Sequence, residues 1–200
     1  TFLRALGLSW PETLNVLHAR YANPRTWDGA VWTYDLMVAA TDPCDLSTFT
    51  IVQTSGGAAP TDNQWTRVRQ FVRLLAATGW TPRRLDLVLH AIDDSYAGEW
   101  LDTAANWLRP IADVHLLAAE TGMAAEVIAT TSASAIDTYP DLDGQPSLYE
   151  TVFLSPAVLG VDDPARASFA LNAQGTEIAV SVALSAVQEA VAGALGVNQE

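Results

Sequence analysis

The sequence has no lysine, one cysteine and none of the glycine-rich or serine-centred motifs that are typical of nucleotide binding or acyl transfer. Its ten basic residues, all arginine, stand against 23 acidic residues, so the formal net charge at pH 7 is −13. Phosphate backbones and anionic membrane surfaces repel such a chain, which disfavours nucleic acid and acidic lipid as partners. Because Cys44 is alone, it can form no internal disulfide or cysteine cluster, and we expect it to be a small buried thiol.

Apolar residues, by contrast, make up 50% of the 200 positions, which is enough to bury a core without disulfides or metals. The chain opens with TFLRALG rather than methionine and closes with GVNQE, which suggests a fragment of a longer polypeptide. We predict a single α-helical module over residues 1–200, with possible sub-units at 1–98 and 99–200. Gln188 and Glu189 interrupt the apolar run at the C-terminal end, so we expect a buried core helix there and not a membrane span.

The clearest pattern lies in residues 64–92, which predict two helices joined by a corner. Apolar residues recur at helical spacing in both, and arginines take the other face of the first helix. Gly79 can adopt the left-handed conformation that ends a helix, and we expect Trp80 to fold back on the last turn. Thr81 and Pro82 then provide an N-cap and a first-turn proline for the second helix.

The same order of helix, glycine, apolar residue, small polar cap and helix recurs along the chain. It occurs at Gly7, Gly79, Gly122 and Gly196, and only Ala124 lacks the polar side chain of a cap. The spacing is too irregular for a simple solenoid. We therefore predict a mainly α fold, an irregular helical bundle of repeated helix–Gly–helix hairpins with one or two short extended segments.

Three Ser/Thr-x-x-Glu/Gln sequences, starting at Ser9, Thr61 and Ser147, predict capping boxes at helix N-termini. We expect the first of these helices to carry Tyr21 and to end at Asn23, because the residue before a proline is pushed out of helical conformation.

Extended structure is predicted in two places. Residues 48–53 alternate and are β-branched, which indicates a strand, and residues 169–171 could be extended. Residues 22–40 are harder to place, although the second half of residues 27–40 suggests a helix.

Helical periodicity predicts three further helices, at residues 100–120, up to about Thr131, and at residues 178–195. Pro110 removes a backbone hydrogen bond inside the first of these, at a cost of about 3 kcal/mol, so we expect a break or kink there.

The titratable residues include two candidate sites, a set of histidines and a pair of aspartates. His18, His90 and His115 lie on three different predicted helices without HxxxH or HExxH spacing, so a zinc site needs a tertiary coincidence. Asp93 and Asp94 could form a carboxylate pair for acid–base catalysis, but acids in a loop at a helix end are usually solvated. We assign no catalytic, cofactor-binding or metal-binding residues.

The segment YPDLDGQPSLYE is the nearest match to a calcium loop. Asp141, Asp143, Gly144 and Glu150 would occupy its positions 3, 5, 6 and 12. Tyr139 at position 1 and two prolines favour a polar loop that leads into a capping box.

A helix, a glycine-containing turn and a second helix that begins with Arg83 and Arg84 also resemble a DNA-binding helix-turn-helix. Asp86, Asp93 and Asp94 on or just after the supposed recognition helix, together with the net charge, oppose contact with phosphates. We expect no nucleic-acid partner.

Four stretches carry a family resemblance: CDLSTFTIV at residues 44–52, RVRQFVRLLAATGWTPRRLDLVL at 67–89, SLYETVFLSPAVL at 147–159 and FALNAQGTEIA at 169–179. As an ordered set they resemble the A component of the insecticidal Tc toxin complexes, in the helical region with homology to the virulence plasmid A proteins. The sequence departs from the usual pattern at Leu75, Ala76 and Ala77, where the family more often has an aromatic and basic run, and in lacking lysine.

The resemblance implies a non-enzymatic shell segment of a very large secreted toxin subunit, located outside the bacterium or at its surface. Such a subunit forms a pentamer, encloses a translocation channel and binds a receptor or glycan on the host cell. It injects a toxic enzyme carried by other toxin-complex components. The resemblance implies no cofactor and no catalytic residue in this region.

Two other classes of function remain open from the residues alone. One is a free-standing glycan- or receptor-binding helical module. The other is an enzyme such as a glycosidase, which would need Asp93 or Asp94 as a catalytic carboxylate.

Overall fold

A computed structural model of the chain describes residues 7–42, 44–92, 104–131, 136–138, 146–156, 159, 164–178, 183, 185, 187–188 and 191–192. The described part contains six α-helices and four short strands, so the fold is mainly α, as the sequence predicted. The chain divides into two compact units, residues 1–28 with 32–135 and residues 29–31 with 136–200.

The first unit contains most of the described secondary structure. Its helices are α1 (Trp10–His18), α2 (Asp62–Thr78), α3 (Pro82–Ile92), α4 (Ala104–Thr121) and α5 (Ala125–Thr131). Its strands are β1 (Arg25–Trp27), β2 (Trp32–Tyr34), β3 (Leu36–Ala39) and β4 (Thr50–Gln53), and a 3-10 turn covers Leu46–Thr48.

Capping boxes begin α1 and α2, as predicted. The Ser9 hydroxyl accepts the N–H of Glu12, and the Glu12 carboxylate accepts the N–H of Ser9 at 2.7 Å. Thr61 and Gln64 form the same pair of bonds at the start of α2. Helix α1, however, ends at His18, so the prediction that it carries Tyr21 is wrong. The backbone becomes extended at Ala19, directly after His18. The polar side chains of Arg20, Tyr21 and Asn23 then form hydrogen bonds in the core.

Residues 25–53 form two antiparallel pairs of strands, β1 with β2 and β3 with β4. Strand β4 confirms the strand expected at residues 48–53, and it pairs with β3 from Leu36 opposite Gln53 to Ala39 opposite Thr50. The helix expected in the second half of residues 27–40 is wrong. That segment contains aromatic and β-branched residues, which favour strands, and β4 supplies the hydrogen-bond partners.

The corners after α2 and α4 have the same geometry. Gly79 and Gly122 take φ of 68° and 70°, the left-handed conformation that costs glycine least. The N–H of Gly79 bonds to the Leu75 carbonyl at 2.8 Å, and that of Gly122 to the Ala118 carbonyl at 3.0 Å. The next helix begins three residues after each glycine.

Helix α3 connects the two parts of the first unit's core. Leu85 and Leu89 pack in one cluster with Phe71 of α2, and all three are completely buried. Val88 packs in a second cluster with Ile128 of α5. Each such side chain contributes about 1.5–3 kcal/mol when buried. Because α3 contributes to both clusters and none of its residues is fully exposed, it is a core helix.

Helix α4 continues through Pro110, so it is not broken there, and the kink that was the other expectation stays a prediction. Pro110 leaves one carbonyl of the preceding turn without its helical donor. The burial of Trp107, Ile111 and Val114 on one face of the helix offsets that cost.

The second unit contains α6 (Leu148–Phe153) and a 3-10 turn at Pro164–Phe169. The predicted capping box begins α6, where the Glu150 carboxylate accepts the N–H of Ser147 at 2.8 Å. The Tyr149 hydroxyl donates to the Phe169 carbonyl at 2.8 Å and ties α6 to the 3-10 turn. Of the extended segment expected at residues 169–171, only Leu171 forms a bridge, with Ile178.

Several predicted features lie outside the described residues. These are the helix tail at 1–6, the loop at 93–98, most of the loop at 132–146, most of the helix at 178–195, and Gly196. Within the described ranges, no helix is both long and apolar enough to cross a membrane.

Candidate functional site

A buried ion pair joins the segment after α1 to helix α3. Arg20 Nε donates to Asp86 Oδ2 at 2.9 Å, and the two side chains are 5% and 8% exposed. Asp86 Oδ1 accepts the N–H of Tyr21 at 3.0 Å, and the Tyr21 hydroxyl donates to the Leu89 carbonyl at 2.9 Å. Buried charges are tolerated when they are paired and hydrogen-bonded, so this network holds residues 20–21 firmly on α3.

Asn23 continues this anchoring towards the strands. Its amide donates to the carbonyls of Leu17 at 2.7 Å and Leu36 at 2.9 Å, and its side-chain oxygen accepts the Leu36 N–H at 2.8 Å. One buried side chain thereby connects the last turn of α1 to the first residue of β3. The space between these two elements becomes an open groove.

This groove has a volume of about 380 Å³. Its lining is mostly apolar and aromatic and consists of Leu14, Leu17, His18, Trp32, Thr33, Tyr34, Leu36, Met37, Val38 and Thr54. The Thr54 hydroxyl oxygen is buried and has no hydrogen-bond partner in the structure as described. Apolar and aromatic walls with a few polar groups are typical of small-ligand sites, so the groove is the candidate binding site.

Aromatic rings form one wall of the groove. The His18 and Tyr34 rings lie 5.2 Å apart, and the Arg25 guanidinium carbon lies 4.4 Å from the centre of the Trp32 ring. Trp27 contacts the same ring at 5.4 Å. Burial lowers the pKa of His18 and raises the pKa of Tyr34, which favours the neutral form of both. The wall is thus a neutral aromatic surface with one cation beside it.

The three histidines are not brought together as a metal site. The His18 ring packs on Tyr34, the His115 ring lies 5.5 Å from Trp80, and His90 is buried on α3. Among the residues that the structure describes, no group of three His, Cys, Asp or Glu side chains could hold a metal ion.

Most residues of the carboxylate-pair and calcium-loop candidates lie outside the described ranges. They are Asp93, Asp94, Tyr139, Asp141, Asp143 and Gly144. Glu150, the twelfth position of the calcium-loop pattern, is described. Its carboxylate accepts the N–H and the hydroxyl of Ser147 at 2.8 and 3.0 Å, which makes it a helix cap.

Cys44 is exposed, so the expectation of a buried thiol is wrong. The Asp42 carboxylate accepts the Cys44 N–H at 2.9 Å, and the Thr48 hydroxyl contacts the carbonyls of Asp42 and Asp45 at 2.8 Å. These side-chain bonds stabilise a surface turn, and the thiol lies on it.

Helix α3, the supposed recognition helix, packs one face into the core and pairs with a neighbouring helix. Leu85, Val88 and Leu89 of the supposed recognition helix are buried in the core. Arg84 Nε donates to Glu126 Oε2 at 2.8 Å and so pairs with a neighbouring helix.

Sequence reasoning missed the ion pair, Asn23 and the groove. A signal for the ion pair was present, because Asp86 lies between Leu85 and Leu89 at spacing that belongs to the buried face of α3. An acidic residue at a core-facing position requires a basic partner. Which arginine supplies it cannot be read from the spacing.

No family model matches this chain, no curated protein matches its sequence, and no solved structure matches its fold.

Proposed function

We propose that the chain is a non-enzymatic structural segment of the α-helical shell of a pore-forming, Tc-like toxin A subunit. The observation that supports the proposal occurs twice in the first compact unit: two consecutive helices are joined at a glycine in the left-handed conformation, and we call each such pair a hairpin. Helices α2 and α3 form one hairpin at Gly79, and α4 and α5 form the other at Gly122.

The two hairpins pack side by side through their second helices. Val88 and Ala91 of α3 share a buried cluster with Ile128 and Ala129 of α5. Stacking of helical hairpins in this way builds the extended walls of helical repeat proteins. Gly7 also has a positive φ, 69°, and α1 begins three residues after it.

The four stretches of the family resemblance lie at structural landmarks. Residues 44–52 contain the surface turn and the start of β4, and residues 67–89 contain α2, its corner and most of α3. Residues 147–159 begin with the capping box of α6, and residues 169–179 include the Leu171–Ile178 bridge. Turns, caps and corners restrict which residue types are tolerated, so their agreement with the family's ordered pattern supports the proposal.

The proposal includes the properties that the resemblance implies for the whole toxin subunit. The subunit is secreted or located at the bacterial cell surface, assembles as a pentamer around a channel, and acts with other toxin-complex components on a host receptor or glycan. The segment itself stabilises the wall and requires no cofactor.

The test is to express the complete reading frame that encodes this segment and to image the product by negative-stain electron microscopy. A very large bell-shaped pentamer is the expected result. A reading frame that ends near residues 1 and 200 and yields a small monomer would contradict the proposal.

The aromatic groove favours a second candidate function, a glycan- or receptor-binding module. The ring faces of Trp32 and Tyr34 can contact the apolar face of a sugar, and the Thr54 hydroxyl can bond to a sugar hydroxyl.

A glycan array with the whole chain and two variants tests this second function. Thr54→Val keeps the side-chain shape, removes the hydroxyl and should weaken binding about tenfold or less. Trp10→Ala removes an aromatic ring that packs on Phe49 outside the groove and should leave binding unchanged. Absence of binding to every sugar, or equal loss in both variants, would exclude the groove as the site.

A further inference from the structure

Helix α4 leaves apolar side chains uncovered on the side away from the core. Leu108 and Leu116 are 53% and 60% exposed, and Ala112 between them is also exposed. Residues four apart lie one above the other on a helix, so these three side chains form a single row, which we call the α4 row. The corresponding exposed face of α2 carries polar residues instead, including Arg69 and Arg73.

The α4 row is symmetric about Ala112, because one leucine lies four residues before it and the other four residues after it. We propose that the α4 row binds the α4 row of a second copy of this chain, with the two helices antiparallel about a two-fold axis at Ala112. Leu108 of each copy then contacts Leu116 of the other. The facing alanines allow the helix axes to approach to about 8 Å. This proposal does not depend on the toxin-shell role.

The charges beside the row fit the same arrangement. Arg109 and Asp113 are both exposed, and neither forms an ion pair with another residue that the structure describes. A helix rises about 1.5 Å per residue, so Arg109 of one copy and Asp113 of the other lie about 3 Å apart along the helix direction. They also lie on the same flank of the row, because residues 109 and 113 are about one turn apart. Two symmetry-related ion pairs therefore border the apolar contact.

Sedimentation equilibrium on the whole chain over a range of concentrations is the first test. The wild-type mass should rise from 21.4 kDa towards twice that value, and Leu116→Glu should remain at 21.4 kDa throughout. Ala76→Glu, on the exposed face of α2, is the matched control and should dimerise like the wild type. A wild type that stays monomeric, or a Leu116→Glu variant that dimerises equally well, overturns the proposal.

Charge exchange tests the antiparallel register. Arg109→Asp and Asp113→Arg should each raise the dimer dissociation constant about tenfold, because each places like charges together. The double variant restores opposite charges and should return the constant to near its original value. A double variant as weak as the single ones contradicts this register.

Crosslinking tests the position of the two-fold axis. In a Cys44→Ser background, Ala112→Cys places two thiols opposite each other, and helix axes 8–10 Å apart bring their Cα atoms within about 3–5 Å. Mild oxidation should yield a covalent dimer much faster than it does for Ala76→Cys. Equal rates for the two variants would place the contact elsewhere.

Discussion

Hairpin α2–α3 turns at Gly79 and hairpin α4–α5 turns at Gly122, and the two turns agree in detail. In each, a threonine hydroxyl donates to a carbonyl of the preceding turn and accepts the N–H of the residue after the glycine. That residue is Trp80 in the first hairpin and Met123 in the second. The corner is therefore determined by the Thr-Gly pair and the left-handed conformation of the glycine. The residue after the glycine can differ as long as it is apolar.

The side chains around the corners differ much more. Asp86 and Ala129 each lie seven residues after the glycine, yet only Asp86 is anchored by a buried ion pair. The outer face of α2 is polar, and that of α4 exposes Leu108 and Leu116. The same corner geometry thus occurs in two different hairpins. Hairpin α2–α3 is anchored by an ion pair and has a solvated outer face, whereas hairpin α4–α5 is less anchored and has an apolar outer face.

The largest effect is expected from the anchor. Asp86→Ala removes the partner of a buried guanidinium and should lower the free energy of unfolding by about 3–5 kcal/mol. Urea denaturation followed by circular dichroism measures it. A loss below about 1 kcal/mol, as for a surface pair, would mean that Asp86 does not anchor the hairpin.

Replacing the corner glycines should have the next largest effect. Gly79→Val and Gly122→Val place a β-branched residue at positive φ, and the added Cβ meets no atom within 4 Å at either site. The loss is therefore backbone strain, about 1–3 kcal/mol in both variants. An unchanged melting temperature in either variant would contradict the shared corner, and so would a large difference between them.

Exchange of the caps should change stability by a smaller amount and in opposite directions. The Thr81 hydroxyl accepts the N–H of Arg84 at 3.2 Å at the start of α3, whereas Ala124 offers no acceptor at the start of α5. Thr81→Ala should cost about 1 kcal/mol, and Ala124→Thr should add up to that amount. Destabilisation by Ala124→Thr would show that the second corner does not admit a cap.

The smallest effect is expected at the pair between the hairpins. Arg84 and Glu126 are 42% and 22% exposed, so solvent screens their attraction. Glu126→Ala should lower stability by about 1 kcal/mol or less, and the loss should shrink further in 0.5 M salt. A salt-independent loss comparable to that of Asp86→Ala would show that the pair is effectively buried.

Local signals in the sequence predicted the helix starts well and the structure of residues 25–39 poorly. The three capping boxes and the start of α3 are as expected, because a cap involves residues only three or four apart. The helix predicted for the second half of residues 27–40 is wrong because a strand depends on its partner, and β3 pairs with β4, which lies eleven or more residues away. Helix α4 is not broken at Pro110 because its core packing outweighs the local cost of the proline.

The candidate site was less predictable than the fold. The groove forms only where α1 lies beside β2 and β3, and no short sequence motif predicts that arrangement. The turn chemistry around Cys44 was recognised, yet its consequence, exposure of the thiol, depends on whether other chain segments cover the turn.

The sequence by itself determined where helices start, where glycine turns the chain, and that the surface is acidic. These features arise from hydrogen bonds and backbone preferences within a few residues, and from composition. Only the tertiary structure decided that Arg20 pairs with Asp86 across 66 positions, that Asn23 joins α1 to β3, and that one face of α4 stays uncovered. These features depend on which distant segments meet, and the free energy that selects among such contacts comes from packing of the whole core.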